Sequence, residues 1–399
     1  IRLKLAVGSI LVVLLANALL SLVAVQYLER VWLDGVQTHV RLNLQSARAG
    51  YRAQYRDITR FLQAVALDHS LIDAVKRPDK QELTSLVQDA FRTSGMDFVA
   101  VLDPRGKVLA RGRNPSQTGD ELAANPLVAN ALKSGLPQSG TLVLSAEQLA
   151  REGADLAKRA VIVLHPTPAA TATDDRTRSD GMIVAAAVPF RDREGDVAGF
   201  LYGGNLLNRR SELVDEIHDD VFSPNEEPGP PLGTVTIFLG DLRVATNVLR
   251  PDGSRAVGTR MSQQVEEKVI ERGEVWDARA LVVDEWYITA YEPIRDPTEK
   301  IISALYVGLR EAPFAQQHRL INLAVLTMVL AATLASLLLL GILTMFVLRP
   351  IDHVVAMAQR MIDGDMTARV GIRPPAEMGV LCRAIDAMAD AVVQREQEL

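Results

Sequence analysis

Hydrophobic positions along the chain change their spacing from zone to zone. Leu5 to Val25 is 21 residues without a charge and Ile321 to Leu348 is 28, and about 20 apolar residues in a helix cross the hydrocarbon of a bilayer. Both segments therefore predict membrane spans. From Tyr27 to about Val75 apolar residues recur at helical spacing, which predicts a long amphipathic helix continuous with the first span. Between there and residue 320 the apolar runs are short, rich in β-branched residues and separated by Gly, Asp and Pro, the pattern of strands and tight turns. Beyond Arg349 the helical period returns. Ile351, Val354, Ala358 and Met361 form one stripe, and Met378, Leu381, Ile385, Met388, Val392 and Leu399 form a heptad-like second one.

The strand-rich zone repeats itself. Ile183 to Gly204 aligns with Tyr287 to Gly308 without a gap at an offset of 104, with seven identities that include Pro189/Pro293, Arg191-Asp192/Arg295-Asp296 and Leu201-Tyr202/Leu305-Tyr306. Each copy reads as a β-hairpin around a polar turn. Upstream, Phe98 to Arg111 and Thr234 to Asn247 each read as strand, turn, strand. After each comes a glycine (Gly119, Gly258) and then a short amphipathic helix closed by Gly135 or Gly273, where glycine suits a left-handed C-cap. The expected module is thus strand, strand, helix, strand, strand: an antiparallel sheet with helices on one face and a cavity between the layers. Ser211 to Phe222, with Ser211 as N-cap, predicts a helix joining the modules. Thr171 to Gly181 and Ser223 to Gly233 read as loops.

Charge fixes the orientation of such a chain. Arg2 and Lys4 precede the first span, and Arg349, Arg360, Arg369 and Arg373 follow the second, so the positive-inside bias puts both ends in the cytoplasm and residues 26 to 320 outside. The first span ends in Gln26-Tyr27-Leu28-Glu29-Arg30, without a small-residue cleavage site, and so reads as an anchor. Asn17, Asn322 and Thr327 are polar positions in the spans suited to interhelical hydrogen bonds. A net charge of -6 argues against nucleic acid as the partner. The single cysteine, Cys382, excludes an intrachain disulfide and reads as a small apolar residue. Six histidines, His39, His69, His165, His218, His318 and His353, show no metal-ligand spacing, and His218-Asp219-Asp220 reads as a solvated helix face. No phosphate loop, nucleophile elbow or kinase motif occurs. No metal, cofactor or catalytic residue is expected. An isoleucine start and an end inside a helical repeat suggest a segment trimmed at both ends.

The phrases GDLRVATNV, GSRAVGTRMS, WYITAYEPIRD and ALYVGL give the region from about residue 30 to 315 a resemblance to the double Cache sensor domains of bacterial receptors, of the Cache 3/Cache 2 fusion type. Arg349 to Leu399 resembles a HAMP domain: Pro350 at the start, Gly364-Asp365-Met366 and Val370 in the connector, and Glu377-Met378-Gly379 opening the second helix, with Ala376 where the family usually has Asp. The resemblance implies an α+β fold of two PAS-like modules between two transmembrane helices, followed by a helical relay. The boundaries expected are a cytoplasmic tip at 1–4, spans at 5–25 and 321–348, a signalling and dimerisation helix at 26–75, a membrane-distal module at 76–210, a membrane-proximal module at 211–320 and HAMP at 349–399. It also implies a homodimer in the inner membrane with a periplasmic or extracellular sensor region, a small-molecule ligand such as an amino acid or small carboxylate, and an output domain beyond residue 399.

Candidate residues follow from both readings. Arg111 and Arg113 end the second strand of the first module, where a guanidinium can clamp a carboxylate bidentately. Tyr202 and Asn205 lie on its last strand, and the recurrence of Tyr202 as Tyr306 favours a structural role for the tyrosine. In the second module Arg243, Thr246, Asn247, Arg255 and Thr259 gather polar groups near one edge, and Tyr287 and Tyr291 are placed to wall a pocket. Surface solvation and turn duties compete for all of these. Pro350, Glu377, Gly379, Leu381, Ile385 and Met388 are the candidate relay positions. The run Val392-Val-Gln-Arg-Glu-Gln-Glu-Leu399 is similar to the coiled-coil entry of histidine kinases, which points to a two-component kinase with a response regulator as downstream partner. A methyl-accepting chemotaxis receptor, a cyclic-dinucleotide enzyme and a non-sensing membrane anchor are the alternatives.

Overall fold

The computed structural model describes residues 2–77, 80–222, 232–343, 345–346 and 349–397. The chain divides into two compact units, Trp32–Ala315 on one hand and Ile1–Val31 with Gln316–Leu399 on the other.

α1 (Arg2–Val65) is the amphipathic helix expected after the first apolar segment, but it ends ten residues short of Val75. Ala66 to Asp68 forms a turn, and the Asp68 carboxylate accepts the Ser70 N–H at 2.9 Å to start α2 (His69–Lys76). α3 (Lys80–Ser94) follows. The first module then runs through β1 (Phe98–Leu102), β2 (Val108–Arg111), α4 (Pro126–Ser134), β3 (Gln138–Leu144), α5 (Ala146–Glu152), α6 (Ala154–Ala160), the short pair β4 (Ile162–Val163) and β5 (Thr177–Arg178), β6 (Gly181–Arg191) and β7 (Val197–Leu206). α7 (Ser211–Val221) leads to the second module. There follow β8 (Gly233–Leu239), β9 (Leu242–Thr246), α8 (Gln263–Glu266) with a π-helical turn at Glu267–Glu271, β10 (Arg279–Val282), β11 (Glu285–Arg295) and β12 (Ile301–Arg310). Ser211 is inside α7 rather than its cap: Arg210 holds the cap position and makes no side-chain bond there.

Both sheets are antiparallel with equivalent strand order, β2-β1-β7-β6-β3 and β9-β8-β12-β11-β10. Each therefore has five strands where the sequence pattern predicts four. β3 begins in polar Gln138-Ser139-Gly140 and β10 is four residues long, so neither offers a readable alternation. The duplication holds to the register: Arg191 pairs Val197 and Arg295 pairs Ile301, each just past the same β-bulge. The turn residues shared by the two copies are structural. Arg191 donates to Gly195 O (2.9 Å) and Gly135 O (3.1 Å), tying the hairpin turn to the C-cap of α4. Arg295 donates to Glu299 O (2.9 Å) in the same way. The short helix of each module ends at a left-handed glycine, Gly135 (φ 62°) and Gly273 (φ 72°).

Each sheet is covered on both faces, not one. Val40, Leu44, Ala47, Tyr51, Ile58 and Leu62 of α1 form one core with Val99, Val101, Val184 and Leu201 of the first sheet and Val235, Ile237, Ile288 and Val307 of the second. The opposite face of the first sheet packs under α4 to α6, and that of the second under α8 and its π turn.

In the other unit, α1 and α9 (Ala312–Leu343) carry two stretches long and apolar enough to cross a membrane, the second at Leu323–Ile342, and neither is buried within the chain. Asn17 Nδ2 donates to Thr333 Oγ1 at 3.2 Å between them, and Thr327 bonds the backbone of its own helix. The Asn322 side chain lies outside the described residues. α10 (Arg349–Ile362) and α11 (Ala376–Gln397) pack through Met357, Cys382 and Ala389, with Ala368 and Val370 of the connector closing the core.

Candidate functional site

Arg111 is buried among acidic partners of its own chain. It is 1% exposed, and its guanidinium forks onto Asp120 (2.6 and 2.8 Å) while also donating to Glu152 Oε1 (3.0 Å) and Gln117 O (2.8 Å). Burial alone would lower its pKa, but the two carboxylates outweigh that and raise it. The same guanidinium holds the Asp120 carboxyl below its ordinary range, whereas burial pushes Glu152 up against the opposing pull of Arg111. In this structure the guanidinium's bidentate partner is a carboxylate of the chain, Asp120. Arg113 is likewise committed, to Asp155 and to Asp97 O (3.0 Å), with Phe91 beneath it at 5.8 Å. Tyr202 is buried and accepts from Asn125 Nδ2 (3.0 Å), and Asn205 Oδ1 accepts the Asp97 N–H (3.0 Å). All four are held by partners within the first module, and Tyr202 belongs to the core under α4 to α6. Asp192, Glu194 and Asp196 gather carboxylate oxygens within 4.8 Å at the β6–β7 turn, where Asp192 is committed to Lys76 (2.9 Å) and to the turn's N–H groups.

The second module brings its candidates together differently. Thr246, Thr236, Tyr306 and Tyr291 form a row across the sheet by register. Thr246 and Thr236 share a hydroxyl bond (2.6 Å), the Tyr306 hydroxyl meets Thr234 Oγ1 (3.0 Å), and the Tyr291 and Tyr306 rings lie 4.7 Å apart. Arg243 is the cross-strand neighbour of Phe238 and stacks on its ring at 5.0 Å. It is 1% exposed, Nη1 donates to Thr259 Oγ1, Nε has no acceptor, and among the described residues no carboxylate pairs with it. Burial lowers its pKa, with Tyr291, Tyr306 and Tyr287 opposing.

Beside this layer a cavity of about 310 Å³ is lined by Thr234, Asn247, Tyr287, Arg250, Asp284, Glu285 and Arg310 among others. Burial pushes the Tyr287 hydroxyl up to about 12. Arg310 is forked onto Glu285 (both 2.8 Å) at the mouth. Asn247 Oδ1 is already held by the Val235 N–H (2.7 Å), and Arg255 by Asp215 (2.9 and 2.8 Å) and Thr246 O (2.9 Å), so Arg255 joins α7 to the sheet and does not line the cavity. Phe238, Thr234 and Arg310 also belong to this region, and no sequence signal marks them. Tyr306 does carry one, its place in the repeat, and that signal favours structure.

Among the relay candidates, Pro350 is buried at the start of α10 and Gly379 brings its backbone against the Pro374 carbonyl, where a Cβ would overlap it. Ile385 packs on the helical core, while Glu377 is exposed and Leu381 (45% exposed) and Met388 (65%) leave an apolar stripe uncovered. Leu399 lies outside the described residues.

Three segments of the chain match known families. Residues 36–223 match the double sensory domain of two-component sensor kinase, residues 205–320 match single cache domain 3, and residues 342–394 match the HAMP domain. The chain carries tandem Cache sensory modules followed by a HAMP domain. Among solved structures it is similar to the periplasmic domain of Vibrio cholerae LuxQ (12% identity, TM-score 0.41, covering 68% of this chain and 99% of that one). The sensor domain of the V. cholerae histidine kinase DctB gives 9% identity and a TM-score of 0.38 over 69% of this chain and 98% of that one. The ligand-binding domain of the Pseudomonas fluorescens chemoreceptor CtaA, in complex with L-isoleucine, gives 10% and 0.37 over 73% and 98%. No curated protein matches the chain.

Proposed function

We propose that the chain is the sensing and relay part of a homodimeric receptor of a bacterial inner membrane, with the two Cache modules outside, and that its output is a histidine kinase acting on a response regulator. The observation that carries this reading is the order of parts: two sensory modules between two exposed apolar helices, with a HAMP domain following. The uncovered stripe of Leu381 and Met388 suits a second copy, because two amphipathic helices cannot bury both faces alone. Tyr287, Tyr291, Thr246 and Asn247 are the sequence candidates that remain near a ligand path. Arg111, Arg113, Tyr202, Asn205 and Arg255 hold the modules in shape.

The relay follows from packing. α1 grips the second module through Gln37 to Thr289 O (3.0 Å) and Arg48 to Glu292, and the first through Tyr51 and Tyr55, which meet Thr141 at 2.7 and 2.6 Å. β12, which contributes Tyr306 to the inner layer, continues after one residue into α9. A ligand that moves β11–β12 against α1 would displace α9, and Pro350, Glu377, Gly379, Leu381, Ile385 and Met388 would convert that motion into a choice between two packings. Autophosphorylation of the full-length protein in proteoliposomes tests the output: acid-labile phosphohistidine is expected, and its absence alongside receptor methylation or cyclic-dinucleotide synthesis would replace the kinase reading.

A further inference from the structure

We propose that residues 164–171 of the first module are a strap that holds the helical cover of the second, so that a change in the first module's cover passes directly to α8 and its π turn. This device goes beyond the receptor reading above, which routes the signal through α1 and β12.

α8 does not cap itself. The first N–H groups of a helix have no partner within it, and Ser262, at the N-cap position of α8, makes no side-chain bond there. The acceptor comes from the other module: Ala169 O accepts the Gln263 N–H at 2.8 Å. Four more contacts seat the strap. Gly258 O accepts the His165 N–H (2.8 Å), Thr167 Oγ1 accepts the Arg260 N–H (3.0 Å), Thr171 O accepts from the Arg260 guanidinium, and the Thr171 hydroxyl donates to Glu266. Arg260 is fixed in turn by Asp241, in the turn between β8 and β9. Ala169 itself sits at φ 60°, a backbone conformation that persists in a non-glycine residue only where its surroundings over-determine it. Its side chain is exposed, so those surroundings are the strap's contacts with residues 258–266.

The segment held in this way has an alternative packing. α8 runs directly into the π turn at Glu267–Glu271, and such turns are rare and concentrated at functional sites. A π turn holds one residue more than an α-turn, so a return to α-helical hydrogen bonding rotates the residues that follow by about 100°. Val265 and Val269, both buried in the core under the second sheet, would not both keep their places. The strap fixes where α8 begins, and the left-handed Gly273 fixes where the segment ends. The same segment presents Thr259 to Arg243, so its release would also change the surroundings of that buried cation.

At its other end the strap is rooted in the first module's cover. Glu152, the partner of Arg111, closes α5; Gly153 and α6 follow, and only Val161 separates α6 from β4, after which the strap begins. Leu156 and Ala160 of α6 are buried under the first sheet. Asn208 Nδ2 donates to Ala160 O (2.7 Å) and Arg209 Nη2 to Val161 O (3.1 Å), which ties the end of α6 to the segment between β7 and α7. The covers of the two sheets are therefore joined by hydrogen-bonded backbone, and a shift of α6 pulls on the contacts that cap α8.

The test is hydrogen exchange read by mass spectrometry on the whole chain in lipid nanodiscs, followed at residues 263–271. Ala169→Pro forces φ to a negative value and so unseats the strap at an exposed position; exchange of that segment is expected to rise about tenfold, the effect of losing one capping bond. Ala169→Gly keeps the positive φ and is expected to exchange as the natural chain does. Leu156→Ala, which loosens α6 without touching the second module, is expected to speed exchange at 263–271 in the natural chain and to add nothing in the Ala169→Pro background. Leu156→Val leaves a smaller cavity and serves the same purpose if the alanine variant does not fold. Leu83→Ala, on the opposite face of the first sheet, is expected to leave the segment unchanged. Unchanged exchange in Ala169→Pro overturns the strap as the holder of α8. A Leu156→Ala effect that is absent, of equal size in both backgrounds, or matched by Leu83→Ala overturns the coupling. No ligand and no output enter the measurement, so the receptor reading stands or falls separately.

Discussion

Two buried arginines, one on each sheet, are placed under opposite electrostatic conditions, and single substitutions should separate them. Arg111→Met leaves Glu152 (3% exposed) without its cation, and breaking a buried pair in this way costs about 3 kcal/mol or more. Its unfolding temperature should fall in any buffer, with ligand or without. Asp120 adds a pH dependence of defined sign. Because Arg111 holds its folded pKa below the ordinary carboxylate range, its contribution is full above that range and is lost as the pH falls through the depressed value. Asp120→Asn should therefore lower stability at neutral pH and flatten the acid limb of a stability–pH curve, and an unchanged acid limb would contradict the pairing. The different surroundings of the two arginines were not legible in the sequence. Arg111 precedes Asp120 by nine residues and Glu152 by 41, so their meeting depends on where α5 ends, and the solitude of Arg243 is a property of its surroundings rather than of its neighbours in the chain.

At the scale of elements, most of the repeat was readable because its identities sit on geometry that both copies need. Pro189, Arg191 and Asp192 shape the bulge and turn of β6–β7, as Pro293, Arg295 and Asp296 do for β11–β12. Of the edge strands, β3 was missed because its first half is polar Gln138-Ser139-Gly140 and β10 because it is four residues long, so neither shows a readable alternation. Yet β3 is where α1 is fastened, through Thr141 with Tyr51 and Tyr55. Thr141→Val should cost about 1 kcal/mol or more by removing the hydroxyl that Tyr51 and Tyr55 share, and adding Tyr51→Phe and Tyr55→Phe should recover part of that loss, since removing all the partners is close to neutral. Chemical denaturation of the single and the combined variant checks both statements. The modules are also clasped to each other: Gly258 sits at φ +90° with its carbonyl accepting the His165 N–H (2.8 Å), and a Cβ there would overlap the Val163 carbonyl. Gly258→Ala should destabilise by more than about 1 kcal/mol and expose residues 164 to 171 to limited proteolysis; an unchanged digestion pattern would contradict the clasp.

Across the whole molecule, the two long apolar helices and the helical relay were legible because hydropathy and heptad spacing survive without knowledge of tertiary contacts. What the pattern could not show is that the apolar residues of the relay divide into two sets. Cys382, Met357 and Ala389 serve the chain's own core, and Leu381, Met388 and Val355 stay uncovered. In the proposed dimer those uncovered residues meet a second copy, so Leu381→Asp should abolish the effect of ligand on output while leaving the ligand-induced rise in unfolding temperature intact. Signalling in such a receptor requires that occupancy of a Cache module change the packing of the HAMP helices. That coupling is tested most directly by pulsed electron-resonance distances between spin labels at Met388→Cys, in a Cys382→Ala background, on the whole chain in nanodiscs. With a small molecule that raises the unfolding temperature, the distance distribution between the two copies should shift between two populations; the same distribution with and without that bound molecule would contradict the coupling.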